Sequence, residues 1–172
     1  NLVANSNGGA ITQDTTSGNF ITVGGTASIT AGTNTITLNQ SGNNFTGAVS
    51  LSNSGTNNAS VTDTNGLTLG TLAIGQDLTV NSTGALSLGQ GSIGRNLVAN
   101  SNGGAITQDT TSGNFITVGG TASITAGNNS ITLNQSGNNF TGAVSLSNSG
   151  TNNASVTDTN GLTLGTLAIG QD

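Results

Sequence analysis

Short stretches of alternating apolar and polar residues recur along the whole chain. Residues 36–38 (ITL), 67–69 (LTL) and 78–80 (LTV) have a period of two, and stretches rich in Gly, Asn and Ser separate them. This alternation with β-branched residues predicts short β-strands. Gly, Asn and Ser suit the corners between strands, because they adopt left-handed backbone or form side-chain-to-backbone hydrogen bonds. No stretch shows the 3.6-residue apolar period of a helix, so we predict an all-β protein.

The chain repeats itself at a spacing of 95 residues. Residues 1–77 align with residues 96–172 without a gap, and only two positions differ. Asn128 replaces Thr33, and Ser130 replaces Thr35. We therefore interpret 1–172 as one continuous repetitive domain, with a first repeat at 1–95 and a second, incomplete repeat at 96–172.

A shorter period divides each repeat into five blocks of nearly equal length. Val61, Val80 and Ala99 recur in these blocks at intervals of 19. The blocks are 21–38, 39–57, 58–76, 77–95 and 96–115, of which 39–57 fits least well.

A block of about 19 residues with two or three short strands fits one rung of a parallel β-solenoid, also called a parallel β-helix. Val, Ile and Leu would point inward, Thr and Ser outward, and each rung would rise about 4.8 Å. We predict about 19 residues per rung, five rungs per repeat and about nine rungs in the chain. An antiparallel sandwich with a hairpin turn at Asn65-Gly66 is the alternative, but it gives no reason for a 19-residue period.

Several stretches resemble the repeats of very large surface proteins of Gram-negative bacteria. These stretches are ITVGGTASITAG (21–32), ITLNQSGNNFTGAVSL (36–51) and LTLGTLAIGQDLTVNSTGALSL (67–88). The proteins that they resemble are filamentous-haemagglutinin-like, or β-strand-repeat, adhesins, many of which are exported by two-partner secretion. The resemblance implies a right-handed parallel β-helix on the bacterial outer surface, which forms a shaft and projects adhesive regions away from the cell.

Composition and charge narrow the function classes further. Only 4% of the residues are charged, and Arg95 is the single basic residue. The chain therefore lacks the electrostatic basis for binding nucleic acid or an anionic membrane surface. No apolar run reaches the roughly 18 residues of a membrane helix, and the absence of Cys excludes disulfides.

The titratable residues do not favour catalysis. The chain has no His, Glu, Lys, Cys or Tyr, and its acidic residues are Asp14, Asp63, Asp77, Asp109, Asp158 and Asp172. Acid–base catalysis needs a positioned titratable group with a partner, and glycoside hydrolysis typically needs two carboxylates roughly 5–10 Å apart. We expect no enzymatic activity, no catalytic residue, no cofactor and no metal site.

Two polar motifs have both a structural and a functional interpretation. DTNG at 63–66 resembles the start of a calcium loop but lacks the remainder, so we expect Asp63 and Asn65 to be corner residues. N-x-S/T triplets would be glycosylation sites in a secreted protein, although chance alone produces them in this composition. The triplets begin at Asn39, Asn44, Asn58 and Asn81.

The sequence also suggests roles for three further groups of side chains: paired Asn residues, aromatic residues and rows of Thr. The pairs Asn43-Asn44 and Asn57-Asn58 suggest amide ladders at corners. The aromatic residues are expected to fill the core at a wide corner: Phe20, Phe45, Phe115 and Phe140. Outward Thr rows raise ice or carbohydrate binding as an alternative, and they include Thr22, Thr37, Thr68 and Thr79.

We interpret the chain as a structural repeat segment of a long adhesin or extracellular filament. A secreted fibre subunit that stacks end to end is the alternative, followed by a carbohydrate- or ice-binding face. Neither end shows the cap that a monomeric solenoid needs. We therefore expect each end to contact further repeats of the same chain or identical subunits, and regions outside this segment to bind any host or cell-surface receptor.

Overall fold

The computed structural model describes residues 1–171, so Asp172 lies outside the described residues. It contains twenty-one β-strands, and no helix occurs in this range. In chain order, β1 to β21 are Leu2–Asn5, Ile11–Thr12, Thr22–Val23, Ala27–Gly32, Ile36–Leu38, Asn44–Phe45, Val49–Asn53, Ala59–Asp63, Leu67–Ile74, Leu78–Ser82, Leu86–Leu88, Gln90–Ile93, Leu97–Asn100, Ile106–Gln108, Ile116–Val118, Ala122–Gly127, Ile131–Leu133, Asn139–Phe140, Val144–Asn148, Ala154–Val156 and Leu164–Ala168. In the described part of the chain, nothing has the length and apolarity of a membrane-crossing helix.

The strands stack in parallel on three faces, which the chain visits in turn. The first face runs β1-β4-β7-β9-β12-β15-β18, and the second runs β2-β5-β8-β10-β13-β16-β19-β21. The third face begins with β3-β6 and continues from the start of β9 through β11-β14-β17-β20. Its two parts are joined by the Thr64 amide, which donates to the Asn43 carbonyl at 2.7 Å. The predicted all-β parallel solenoid is confirmed, while its right-handed sense stays a prediction.

Apolar side chains point inward and form one continuous core. Residues of β7 and β10 alternate between buried and half-buried positions, as the period of two predicts. Val61, Val80 and Ala99 lie side by side on the second face and are almost completely buried. Because buried apolar residues of successive turns lie over one another, the core continues from turn to turn.

The turns are longer and fewer than the predicted rungs. Leu2 pairs with Ala27, 25 residues later, and Leu78 pairs with Leu97, 19 residues later. The chain makes about eight turns with a mean spacing of about 22 residues, against the predicted nine or so rungs of about 19 residues. The extra length lies in loops such as residues 13–21, which connect β2 to β3 without lengthening either strand.

One 95-residue repeat spans four and one third turns, not five. It contains thirteen strand segments, since β9 rounds a corner and contributes to two faces, and three segments make one turn. Identical sequence therefore moves to the next face: β1 (LVAN) lies on the first face, whereas its copy β13 lies on the second. Each repeat rises about 21 Å and is rotated by one third of a turn relative to the one before.

Candidate functional site

The longest connection between consecutive strands, residues 13–21, has a copy in the second repeat. We call residues 13–20 corner loop 1 and residues 108–115 corner loop 2. In loop 1, Asp14 Oδ1 accepts the Thr16 amide at 2.8 Å, and Asp14 Oδ2 accepts Asn19 Nδ2 at 2.7 Å. Gly18 adopts a positive φ of 92°, which a glycine tolerates without strain. The carboxylate therefore holds the loop in a tight turn.

Corner loop 2 has the same construction. Asp109 Oδ1 accepts the Thr111 amide at 2.9 Å, and Asp109 Oδ2 accepts Asn114 Nδ2 at 2.7 Å. The hydrogen bond from the Thr111 amide, together with those from side chains, lowers the pKa of Asp109 below its ordinary value. The Thr16 amide is the main cause of the same lowering of the pKa of Asp14. Both carboxylates are therefore charged acceptors with a structural role.

A glutamine from the next turn fastens each corner loop. Gln40 Nε2 donates to the backbone carbonyls of Asp14 and Thr16 at 3.0 and 3.4 Å. Gln135 Nε2 makes the equivalent bonds to Asp109 and Thr111 at 2.6 and 3.1 Å. These bonds satisfy loop carbonyls that have no strand partner.

A buried amide pair lies beneath each loop. Asn43 is fully buried; its Oδ1 accepts Gln13 Nε2 at 2.6 Å, and its Nδ2 donates to Gln13 Oε1 at 2.9 Å. Asn43 also accepts the Ile21 amide at 2.9 Å and donates to the Leu38 carbonyl at 3.2 Å. An amide ladder of Asn residues on successive turns, which the pair Asn43-Asn44 suggests, does not form at Asn43, because Asn43 pairs with the amide of Gln13 in the turn before.

The second copy of this pair is buried on both sides. Asn138 is 0% exposed and Gln108 is 5% exposed, and the two amides exchange bonds of 2.5 and 2.9 Å. Because buried amides need every partner that they can find, this pair fixes how one turn sits on the next.

A ladder of Asn and Asp oxygens runs up another corner. Asn58 Oδ1 accepts the Asp77 amide at 3.1 Å, and Asp77 Oδ1 accepts the Asn96 amide at 3.0 Å. Asn96 Oδ1 continues the ladder by accepting the Thr121 amide at 3.0 Å. Side-chain oxygens at this corner thus bond to the backbone of the next turn. Asn57 Nδ2 donates to the Thr33 carbonyl at 3.0 Å, whereas its copy Asn152 makes the amide-to-amide bond of the expected kind, to Asn128 Oδ1 at 3.2 Å. Arg95 and Asp77 also form an exposed ion pair at 3.9 Å, of the kind that contributes about 0–1 kcal/mol.

The motif at 63–66 forms a corner, as the sequence predicts. Asp63 is fully buried; its Oδ1 accepts the Asn65 amide at 2.7 Å, and its Oδ2 accepts the Phe45 amide at 2.8 Å. The first bond is the Asx turn that is typical of Asp at corners. Each carboxylate oxygen of Asp63 therefore accepts one backbone amide. Residues 1–171 contain no cluster of three His, Cys, Asp or Glu side chains that could hold a metal ion.

The four aromatic residues fall into two classes. Phe45 and Phe140 are 1% exposed and fill the core, as predicted. Phe20 and Phe115 are 49% and 44% exposed, so their prediction as core fillers is wrong. Their rings lie at the ends of the corner loops, close to the glycines at positions 42 and 137 of the next turn, which leave room because they lack a side chain.

Outward hydroxyl residues form rows across the turns. On the second face, Thr37, Ser60 and Thr79 lie in register. Val98, which is 44% exposed, continues this row and interrupts the hydroxyls before Ser123. The outward position of Thr is therefore confirmed, but the row is not a continuous array of threonines.

Clefts adjoin both corner loops but bring no pair of acids together. The cleft at corner loop 2 has a volume of about 300 Å³ and is lined by Gln108, Asp109 and Gln135 among others. The cleft at corner loop 1 has a volume of about 170 Å³, and Gln13 and Gln40 line it. The cleft at corner loop 2 therefore presents one carboxylate among hydroxyls and amides, and the cleft at corner loop 1 presents hydroxyls and amides.

Replacement of Asn43 and Asn44 by Ala tests the role of the buried amide. We expect Asn43→Ala to lower the free energy of unfolding by at least about 2 kcal/mol, because several buried groups lose a partner at about 1–3 kcal/mol each. Asn44→Ala is the matched control; it removes a half-buried neighbour that makes none of these bonds, and we expect a change of less than about 0.5 kcal/mol. Denaturant unfolding measures both, and equal losses would contradict the assignment.

The corner loops should respond to acid before the core does. A carboxylate whose folded pKa lies below its unfolded value, about 3.9, stabilises the loop above that value, and the stabilisation is lost as the pH falls through the folded pKa. We therefore expect constant amide-exchange protection at Thr16 and Thr111 from pH 7 to about 4, and loss at lower pH. Asp109→Asn should remove this pH dependence in loop 2 only, with loop 1 as the internal control. An ordinary carboxyl pKa in an NMR titration would contradict the account.

Comparison with known proteins connects these features to a family. Residues 1–52, 56–87 and 75–147 match the family described as repeats of unknown function (DUF5649). No curated protein and no solved structure matches the chain. The matched stretches cover most of the first repeat and continue into the second. The chain therefore belongs to the DUF5649 family of repeats of unknown function.

Proposed function

We propose that this chain is a structural repeat segment that forms the stiff shaft of a long bacterial cell-surface adhesin or extracellular filament. The observation that carries the proposal is the unbroken stack of about eight parallel turns over one apolar core. Each turn is bonded to its neighbours along three faces, so bending the shaft would break ladder hydrogen bonds on its outer side. Such a solenoid works through its length and stiffness.

The polar side chains support this proposal through the bonds that they make. Asp14, Asp63 and Asp77 each accept backbone amides, and the buried pair of Asn43 and Gln13 joins two turns. These carboxylates and amides therefore stabilise the scaffold through the bonds that they make. We propose that the chain has no enzymatic activity and no cofactor, and that receptor binding resides in regions outside it.

An extracellular or outer-surface location is part of the same proposal. It is supported by the resemblance of residues 21–32, 36–51 and 67–88 to the repeats of secreted surface proteins. The proposed contacts are further repeats of the same chain or identical subunits at each end. With one basic residue, the surface offers little attraction for nucleic acid or an anionic membrane.

Arrays of increasing length test the proposed shaft. A polypeptide with added 95-residue repeats should lengthen by about 21 Å per repeat at constant width, because each repeat adds four and one third turns. Electron microscopy and small-angle scattering measure both dimensions. A radius that grows equally in all directions, or arrays that bend freely between repeats, would contradict a stiff shaft.

Immunolabelling of intact cells of the source organism tests the location. We expect antibodies against the solenoid to label unpermeabilised cells or the culture medium. Labelling that requires permeabilisation would overturn the proposed surface location. It would not affect the proposed shaft, which the arrays test separately.

A further inference from the structure

Two Asn-Gly pairs lie inside the stack at the same corner, two turns apart. Asn65-Gly66 connects β8 to β9, and Asn102-Gly103 connects β13 to β14. Both connections lead from the second face to the third. Each pair has a described turn before it and another after it, and all four residues are exposed at the surface. The two pairs can therefore be compared in matching surroundings.

The main-chain nitrogen of each glycine is open to reaction. Within residues 1–171, neither the Gly66 amide nor the Gly103 amide donates a hydrogen bond. A Cβ atom on Gly84 would lie 3.0 Å from the Gly66 nitrogen, and a Cβ atom on Gly127 would lie 3.0 Å from the Gly103 nitrogen. Because glycine stands at both positions of the following turns, no side chain covers either nitrogen from that side.

The two Asn side chains differ in one contact. Asn102 Nδ2 donates to the carbonyl of the buried Ser82, in the turn before, at 3.0 Å. The Asn65 side chain makes no hydrogen bond in the part of the chain that the structure describes. Its main chain is held, since its amide donates to Asp63 Oδ1 at 2.7 Å and its carbonyl accepts the Gly84 amide at 2.9 Å. The Asn65 side chain can therefore turn toward the neighbouring glycine nitrogen without breaking a bond of its own.

We propose that Asn65-Gly66 is a site of spontaneous covalent modification, at which Asn65 loses ammonia and becomes aspartate or isoaspartate. The inference goes beyond the proposed shaft, because it assigns chemistry to a side chain that forms no hydrogen bond in the stack.

The reaction needs only water and hydroxide. Hydroxide removes the proton from the Gly66 nitrogen, which attacks Asn65 Cγ. A bond from this nitrogen to Cγ forms, the Cγ–Nδ2 bond breaks, and ammonia leaves with a proton from water. Water then opens the cyclic succinimide at either carbonyl and gives aspartate or isoaspartate. Glycine favours the attack because it has no side chain to hinder the approach.

The products change a corner on which the register depends. Either product replaces a neutral amide by a carboxylate, in a chain of which only 4% of the residues are charged. In isoaspartate the main chain passes through the former side chain, so one more carbon separates β8 from β9. Asp63 and Gly84 bond to the main chain of Asn65 at this point. A modified corner therefore has to move against the turn that stacks on it.

Peptide mapping of the 172-residue chain after incubation in mildly alkaline buffer tests the site. Cleavage after Arg95, the only basic residue, separates the two identical stretches 63–76 and 158–171. Cleavage before Asp then releases residues 63–76, in which Asn65 is the only Asn. Mass spectrometry measures the exchange of NH₂ for OH, and isoaspartate is distinguished from aspartate because the protease does not cut before it.

The comparison of Asn65 with Asn102 separates the effect of the fold from that of the Asn-Gly sequence. In the folded chain, we expect Asn65 to convert about threefold to tenfold faster than Asn102, because the bond from Asn102 to Ser82 has to break first. In denaturant, where this bond is absent, we expect the two residues to convert at similar rates.

Two outcomes would overturn the proposal. The first is an Asn65 that stays unmodified in the folded chain while it converts in denaturant. The second is a ratio of the two rates that is the same in the folded and the denatured chain. Neither outcome affects the proposed shaft, which the arrays of increasing length test. Arrays that fail to lengthen would contradict the shaft and leave the modification site in place.

Discussion

The structure depends on in-register stacking of one turn on the next. In a parallel ladder every residue faces its partner on the neighbouring strand, and a slip by one residue would turn each apolar side chain outward. Val61, Val80 and Ala99 show the consequence, because three successive turns place small or branched apolar residues in one buried column. The length between strands is free as long as the chain returns to the same column, and this is why short and long turns coexist.

The polar side chains form hydrogen bonds with backbone groups that the corners leave without partners. Strand backbone is satisfied by its neighbours, but loops leave amides and carbonyls without partners. Asp14 and Gln40 satisfy these groups at corner loop 1. Asn58 and Asp77 satisfy them at the corner that carries the ladder of Asn and Asp oxygens. Each of these side chains reaches within its own turn or to the next, so the corners also contribute to register. A chain with very few charges can therefore specify its fold through amides and hydroxyls.

The sequence predicts the parts of this fold that follow from local alternation. The all-β class, the parallel stack, the inward apolar residues and the column of Val61, Val80 and Ala99 all follow from period-two stretches and their recurrence. The long turns escape prediction, because residues 1–20, the copy of block 96–115, read as one complete rung although residues 13–20 form a loop that adds no strand. Phe20 and Asn43 are mispredicted for a related reason. An aromatic residue is normally buried, but the loop puts Phe20 outside. Adjacent Asn residues suggest an amide ladder, but Gln13 at the start of the same loop is the buried partner of Asn43.

Because a 95-residue repeat spans four and one third turns, each repeat is rotated by one third of a turn, and a repeated surface feature moves to the next face in every repeat. An engineered disulfide measures this register most directly. Val98 lies beside Ser123, whereas a uniform 19-residue rung would put Thr117 there. Neighbouring parallel strands are about 4.8 Å apart, which lies within the Cα separation that a disulfide spans. The account predicts that Val98→Cys/Ser123→Cys forms an intramolecular disulfide under mild oxidation and Val98→Cys/Thr117→Cys does not; the reverse result would contradict it.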